Sequence, residues 1–179
     1  MRRAEIGRAG EQLCARELEK RGWTVEDLNE ISTNMPNSDL RIHKAGQSFS
    51  VQVKSSARDR GYITGGSVNK TVVSGGPIFN RRKEYPDADF VVFIANLETS
   101  PRFFIVPVNA AEAIFRTNID AYFLSPKLDG GPKRPSGQSD IFVGAGHFPH
   151  ARIVPDQRTE ILPYEGRWDI LERSLSDSK

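Results

Sequence analysis

Residues 38–56, SDLRIHKAGQSFSVQVKSS, decide the fold predicted for this chain. Apolar and polar residues alternate on both sides of a short segment at 44–47, Lys-Ala-Gly-Gln, which has the composition of a turn. This pattern predicts two antiparallel strands joined as a β-hairpin.

Period-two alternation assigns the side chains of the hairpin to two faces. Gln52 and Lys54 are two residues apart, so they point to one side of their strand. Val51 and Val53 then point to the other side. Asp39 lies near the start of the first strand, so the turn brings it opposite the end of the second, near Lys54. The three polar side chains are therefore predicted to converge.

An acid, an amide and an amine on one face form the outline of a metal-dependent nuclease site. Hydrolysis of a phosphodiester needs a hard cation that polarises a phosphoryl oxygen and acidifies a water molecule. It also needs a positive group that holds the nucleophile or stabilises the developing charge. In this interpretation Asp39 binds the metal and Lys54 supplies the positive group.

The hairpin and the residues before it resemble the PD-(D/E)XK, or restriction-endonuclease-like, nuclease superfamily. The upstream part is similar to the first helix and following strand of Holliday-junction resolvases, and nearly all of the resemblance lies in residues 1–56. The upstream residues that carry it are Gly-Arg-Ala-Gly-Glu at 7–11, Cys14, Leu18 and Arg-Gly-Trp-Thr-Val at 21–25.

The resemblance implies four catalytic residues, Glu11, Asp39, Gln52 and Lys54. Glu11 stands where these resolvases have a helix glutamate that joins the metal site. Gln52 departs from the pattern, because most members have Glu or Asp there, although some active branches have Gln. Mg²⁺ or Mn²⁺ would then be held by Asp39, Gln52 and Glu11, and affinity for Mg²⁺ is expected to be low because glutamine offers only a neutral oxygen.

The resemblance and the pattern of elements together predict an α/β protein. Its restriction-endonuclease-like core would have a central mixed β-sheet flanked by helices. The 179 residues are the expected size of one such domain, with a core at about 5–118 and a C-terminal extension at about 119–179.

The remaining elements are predicted from periodicity and from turn residues. Helices are expected at 5–21, at 109–116 with Asn109 as the N-cap, and after Pro163. Strands are expected at 23–28, 88–95, 102–108 and 141–146, with 88–95 as a central buried strand. The Gly-rich stretch 59–76 is expected to be a loop or a short β excursion, and 125–139 a long loop.

Each candidate residue also has a purely structural interpretation. Asp39 follows Asn-Ser and can simply end a turn through local hydrogen bonds. Gln52 and Lys54 can form the solvated face of an amphipathic strand. Glu11 can be a boundary charge at the flank of the first helix. Glu17 is either a competing buried acid or the partner of a neighbouring Arg or Lys.

Composition narrows the class of protein. Hydrophobic residues make up 37% of the chain, and no apolar run reaches the roughly 18 residues of a membrane span. One cysteine, Cys14, on an apolar helix face predicts a reduced core residue and a cytoplasmic protein. Phosphate-binding glycine loops and serine-esterase motifs are missing from the sequence, and His147 and His150 have no second close pair of ligands.

Net charge is only +2, so the distribution of cations matters more than their sum. Six basic residues near or beyond the hairpin are the candidates for DNA contact, namely Arg58, Arg60, Lys70, Arg81, Arg82 and Lys83. Surface solubility is the alternative explanation for such clusters.

The sequence therefore predicts a Mg²⁺-dependent or Mn²⁺-dependent DNA endonuclease of restriction-like or junction-resolving type, and the resemblance implies a homodimer. Two alternatives stay open. One is a catalytically inactive DNA-binding module that lost its metal through Gln52. The other is a protein-interaction subunit of a defence or mobile-element complex.

Overall fold

Within the described residues, seven strands follow one another between the second and the third helix. The computed structural model describes residues 2–31, 38–57, 62–66, 70–73, 76–79, 85–124, 139–142 and 161–177. The elements within these ranges are α1 (Arg3–Glu19), β1 (Thr24–Asp27), α2 (Leu28–Ile31), β2 (Leu40–Lys44), β3 (Gln47–Ser55), β4 (Tyr62–Gly66), β5 (Lys70–Val73), β6 (Gly76–Phe79), β7 (Phe90–Ala95), β8 (Arg102–Pro107), α3 (Val108–Leu124), β9 (Ser139–Phe142), a 3₁₀ turn (Leu162–Tyr164) and α4 (Asp169–Asp177).

A five-stranded sheet in the order β1-β2-β3-β7-β8 forms the centre of the described structure. Neighbouring strands are antiparallel except for β3 and β7, which are parallel, so the sheet is mixed. All six residues of β7 are buried, as expected for the strand predicted to be central and covered on both faces. Two further pairs, β4 with β9 and β5 with β6, lie outside this sheet.

The predicted hairpin is confirmed, and its turn is tighter than the segment 44–47. Lys44 pairs with Gln47, which leaves Ala45 and Gly46 as a two-residue loop. Both loop residues have positive φ, at 52° and 80°. Loops of this kind match the right-handed twist of the flanking strands, so the register of the hairpin is well defined.

Helix α1 packs closely against β3 through a glycine. A Cβ atom on Gly10 would lie 2.5 Å from Ser55 Oγ and 2.6 Å from Ser55 Cβ. The Ser55 hydroxyl also donates to the carbonyl of Ile6, at 2.9 Å. Gly10 therefore permits the close approach that brings the next residue, Glu11, to the end of the hairpin. After α1 the chain turns at Gly22, whose φ is +79°.

Apolar residues pack on both faces of the sheet. The face covered by α1 and α4 contains Cys14, Leu18, Trp23, Val51, Val92, Ile105 and Leu171. The face covered by α3 contains Tyr85, Val91, Phe93, Phe104, Ala111 and Ile114. Helices thus flank the sheet on both sides, and Cys14 is a fully buried core residue as predicted.

Helix α3 differs from the prediction at both ends. It begins at Val108, immediately after β8, so Asn109 lies in its first turn and is not the N-cap. The Val108 amide donates to the carbonyl of Asp89, at 2.9 Å, which joins the start of the helix to the entry of β7. The helix continues past Arg116 to Leu124 because residues 117–124 contain no Gly or Pro.

Other elements agree with the prediction to within a few residues. The strands predicted at 23–28 and 102–108 are β1 and β8, and described parts of the stretch 59–76 form β4, β5 and the start of β6. The predicted strand at 141–146 is described only to Phe142, and residues 125–138 of the predicted loop lie outside the described residues. Within the described part of the chain, no helix is long and apolar enough to cross a membrane.

Candidate active site

Asp39 immediately precedes β2 and is held against β3. Its backbone N–H donates to the carbonyl of Val51, at 3.0 Å, and its Oδ2 accepts from the N–H of Val53, at 2.7 Å. Ser38, which is buried, anchors the preceding backbone by donating to the carbonyl of Asp87, at 2.8 Å. Asp39 therefore lies alongside Gln52, slightly earlier on β3 than the predicted position near Lys54.

Gln52 is a buried polar side chain with an unsatisfied oxygen. It is 9% exposed, and among the described residues its Oε1 has no hydrogen-bond partner. Its strand neighbours Val51 and Val53 point into the core beneath α1, so Gln52 projects from the opposite face. A buried carbonyl oxygen without a partner costs about 1–3 kcal/mol. Such an oxygen is available to a ligand that supplies positive charge.

Lys54 extends from the same face of β3 as Gln52. Its neighbour in the sheet is Phe93 of β7, and its side chain is half-buried. The positive charge of Lys54 acts on Asp39 and is one of the influences that lower the pKa of that carboxyl. The acid, the amide and the amine of the predicted motif are thus grouped at one end of the hairpin.

Burial dominates the electrostatics of Asp39. Desolvation raises the pKa of its carboxyl above the ordinary value. Hydrogen bonds from Val53 and from Asn29, together with the charge of Lys54, act in the opposite direction without cancelling the rise. A carboxyl with such a pKa is destabilised in its charged form, which favours binding of a cation.

Glu11 approaches the same region from α1. Burial, followed by the negative charge of Asp39, raises the pKa of the Glu11 carboxyl. Its Oε2 accepts from Arg8 Nη1 and from Asn29 Nδ2, both at 3.2 Å. The two acids are therefore close enough to repel one another, as a shared cation site requires.

Arg8 connects Glu11 to two further acids. Its Nη1 also donates to Asp27 Oδ2, and its Nη2 donates to Glu30 Oε1 at 2.8 Å. Arg8 is half-exposed, and it balances part of the negative charge behind the site. Glu11 lies three residues after Arg8 on α1, so the sequence spacing predicts this contact. The other two partners come from β1 and α2, and local spacing does not predict them.

Glu17 is not part of this group. It forms ion pairs with Lys20 and Arg21, each at 2.7 Å. These partners lower the pKa of Glu17, whereas the pKa of Glu11 is raised. Of the two interpretations offered for Glu17, the partner of neighbouring basic residues is confirmed.

The donors at this site are oxygen atoms, which suit a hard divalent cation. Among the residues that the structure describes, no three His, Cys, Asp or Glu side chains are grouped as a metal centre by themselves. The carboxyls of Glu11 and Asp39 both have raised pKa values, and Gln52, at the β3 position alongside Asp39, adds a buried oxygen with no partner among the described residues. These residues fit Mg²⁺ or Mn²⁺, with Gln52 supplying a neutral ligand.

Most residues predicted to contact nucleic acid cannot be placed. Arg58, Arg60, Arg81, Arg82 and Lys83 lie outside the described residues. Lys70 is the first residue of β5, and its side chain also lies outside the described part of the chain.

Arg41 is a cation near the site that the sequence interpretation missed. Its neighbours Leu40 and Ile42 point into the core beneath α1, so Arg41 projects from the same face as Gln52. It is half-buried and forms no ion pair with any other described residue. The period-two alternation that assigns Gln52 and Lys54 to one face of the hairpin also assigns Arg41 to that face.

Comparison with solved structures shows a likeness to a known nuclease. No model of a protein family matches the chain, and no curated protein sequence matches it. Among solved structures, the chain is similar to a bacterial homing endonuclease, I-Ssp6803I, with a TM-score of 0.57 and 18% sequence identity over 100% of this chain and 99% of that one. The structure of MepB is a more distant match, with a TM-score of 0.34 and 11% identity over 92% and 96% of the two chains, and it has no bearing on the fold.

The fold is α/β, with a mixed five-stranded sheet flanked by helices, consistent with the restriction-endonuclease-like fold. The predicted fold class is therefore confirmed. At 18% identity the likeness shows the fold alone, so the activity of this chain must be argued from its own residues.

Proposed function

We propose that this protein is a metal-dependent endonuclease that hydrolyses phosphodiester bonds in DNA. The observation that carries the proposal is the buried Oε1 of Gln52, unsatisfied among the described residues, on the β3 residue that lies alongside Asp39. An apolar residue at position 52 would avoid the cost of this buried oxygen, so a ligand explains the amide better than strand packing does.

Three side chains would hold the cation. Asp39 and Gln52 would be direct oxygen ligands, and Glu11 would bind directly or through a water molecule. Mg²⁺ or Mn²⁺, when bound, would polarise a phosphoryl oxygen and acidify a water molecule. Because Gln52 adds no negative charge, affinity for the cation is expected to be lower than in a site with three carboxylates.

Lys54 acts on the reacting phosphate. Its ammonium group lies on the face that carries Gln52, two residues further along β3. There it would orient the attacking water or stabilise the negative charge that develops on the phosphorane. Attack by the water oxygen forms one P–O bond, and the bond to the leaving sugar oxygen breaks.

The same face offers a place for the nucleic-acid backbone. Arg41 stands opposite Ser50, which is two residues before Gln52 on β3. At about 3.3 Å per residue, this places Arg41 roughly 7 Å along the strand from the site. Its guanidinium, which has no ion-pair partner among the described residues, can contact a phosphate next to the one that is cleaved.

A second candidate function follows from the neutrality of Gln52. A domain with this fold can bind DNA without cutting it if the missing carboxylate abolishes metal binding. The two candidates share the contact face and differ in their response to divalent cations.

Cleavage of supercoiled plasmid and of a four-way DNA junction tests the proposal. We expect the wild type to cut with Mg²⁺ or Mn²⁺, and D39A and K54A to lose about 100-fold or more in rate while remaining folded. Nicked product alone would indicate one site acting on one strand, and linear product would indicate two cooperating copies. Salt-sensitive binding without cleavage in either metal would establish the second candidate.

A further inference from the structure

Asn29 lies where the first strand passes into a short helix beside the candidate site. The preceding residue, Leu28, is 2% exposed, and its backbone N–H donates to the carbonyl of Asp39, at 3.0 Å. The backbone N–H of Asn29 donates to Asp27 Oδ1, also at 3.0 Å. The backbone hydrogen bond from Leu28 and the burial of its side chain thus set the position of Asn29 relative to Asp39, and the Asp27 carboxylate holds the backbone of Asn29 itself.

The side chain of Asn29 links the two candidate acids. Its Nδ2 donates to Glu11 Oε2, at 3.2 Å. The same amide also acts on the carboxyl of Asp39, where it is one of the influences that lower the pKa. Glu11 belongs to α1 and Asp39 immediately precedes β2, so one amide lies between acids from two different elements.

An amide is suited to this position because it is neutral. Arg8 also contacts Glu11, but its full positive charge is shared with Asp27 and Glu30 and would oppose a cation. Asn29 orients a carboxylate while leaving the negative charge of the pair in place. Residues behind the ligands of a metal site commonly act in this way.

We propose that Asn29 is a positioning residue that holds the carboxylates of Glu11 and Asp39 in one fixed relation for cation binding. This inference rests on the proposed function and assigns it a residue that makes no contact with the substrate. A purely structural role would also use these hydrogen bonds, but it would leave the affinity for the cation unchanged.

Binding of Mn²⁺ by the whole chain separates the two roles. Isothermal titration would give the dissociation constant, and chemical unfolding would be followed in EDTA and in saturating Mn²⁺. We expect N29A to weaken Mn²⁺ binding by about 10-fold to 100-fold, so its loss of stability is larger in Mn²⁺ than in EDTA. N29S, whose hydroxyl offers one donated hydrogen bond, is expected to have an intermediate affinity and also serves if N29A does not fold. N109A removes an asparagine from the first turn of α3 and is the matched control, with unchanged affinity.

An unchanged dissociation constant in N29A and N29S, with equal losses of stability in EDTA and in Mn²⁺, would overturn the inference and leave the nuclease proposal standing. A wild type that binds no Mn²⁺ and cuts no DNA would instead overturn the proposed function, and the role of Asn29 with it.

Discussion

The carboxylate of Asp39 accepts a hydrogen bond from the backbone N–H of Val53, with 2.7 Å between Oδ2 and N. Strand β2 begins at Leu40, so this side chain replaces the backbone acceptor that a longer β2 would have offered to β3. The hydrogen bond fixes one carboxylate oxygen in the plane of the sheet and places the acid beside Gln52. Asp39, which could simply have ended a turn, is thereby part of the pairing between β2 and β3 and of the candidate site.

Replacement of Asp39 by asparagine is expected to stabilise the protein in the absence of metal. Burial raises the pKa of this carboxyl, so the folded state holds its proton more tightly than the unfolded state does. The contribution of Asp39 therefore favours folding at acidic pH and is lost as pH rises through the raised pKa. Near pH 7 we expect D39N to raise the free energy of unfolding by about 0.5–2 kcal/mol, measured by chemical denaturation in EDTA.

Asp169 provides a control of opposite sign. Arg167 lowers the pKa of Asp169, so D169N is expected to lose stability at neutral pH. A destabilised D39N at pH 7, or a gain that does not diminish below the raised pKa, would contradict the electrostatics described for the site.

Replacement of Gln52 by methionine separates stability from function. Methionine has nearly the same shape but removes the buried oxygen that lacks a partner among the described residues. We expect Q52M to raise the free energy of unfolding in EDTA by about 1–3 kcal/mol and to abolish the stabilisation that Mn²⁺ gives to the wild type. Thermal unfolding with and without Mn²⁺ measures both effects. A Q52M protein that is less stable than the wild type in EDTA would indicate that the amide has a structural partner.

Two glycines of α1 are expected to respond oppositely to alanine. In G10A the new Cβ would lie less than 3 Å from Ser55 of β3, so we expect a loss of about 1–3 kcal/mol despite the better helix propensity of alanine. A Cβ atom on Gly7 would meet no other described atom within 4 Å, so G7A is expected to gain about 0.5–1 kcal/mol. Urea denaturation of both variants tests the packing that carries Glu11 to the site, and equal effects in the two would refute it.

Arg41 is expected to contribute one phosphate contact. In EDTA, R41Q should weaken binding by a similar factor for duplexes of different sequence. It should also reduce the slope of log affinity against log salt concentration by about 1. Fluorescence anisotropy at several salt concentrations gives this slope.

Arg173 is the matched control for Arg41, because it lies on α4, which covers the other face of the sheet, and pairs with Asp169. R173Q should leave the slope unchanged. If R41Q and R173Q have the same slope, nucleic acid does not lie on the face that carries Gln52.

Local patterns predicted the parts of the fold that depend on neighbouring residues. Alternation in the hairpin identified which residues share the face of Gln52, and turn composition placed the loop within one residue at each end. The apolar run of β7 predicted a central strand because a strand covered on both faces needs no polar alternation.

Contacts between distant elements could not be predicted in this way. Asn29 contacts Glu11 near Asp39 because the start of α2 is hydrogen-bonded to the residue before β2, and no periodicity in the sequence predicts that contact. The partners of Arg8 in β1 and α2 likewise depend on how α1 crosses the sheet. The end of α3 lies beyond the predicted Arg116 because residues 117–124 contain no Gly or Pro that would stop the helix.

Plasmid cleavage by the wild type and Q52M at matched concentrations of Mg²⁺ and Mn²⁺ shows whether Gln52 is part of a metal-dependent nuclease site. Gln52 lies at the centre of the proposed cation site, and Q52M is expected to remain folded. We predict that the wild type nicks or linearises the plasmid in a metal-dependent manner and that Q52M does not. Equal cleavage by the two proteins, or none by a well-folded wild type in either metal, would contradict the assignment of a metal-dependent nuclease site to Asp39, Gln52 and Lys54.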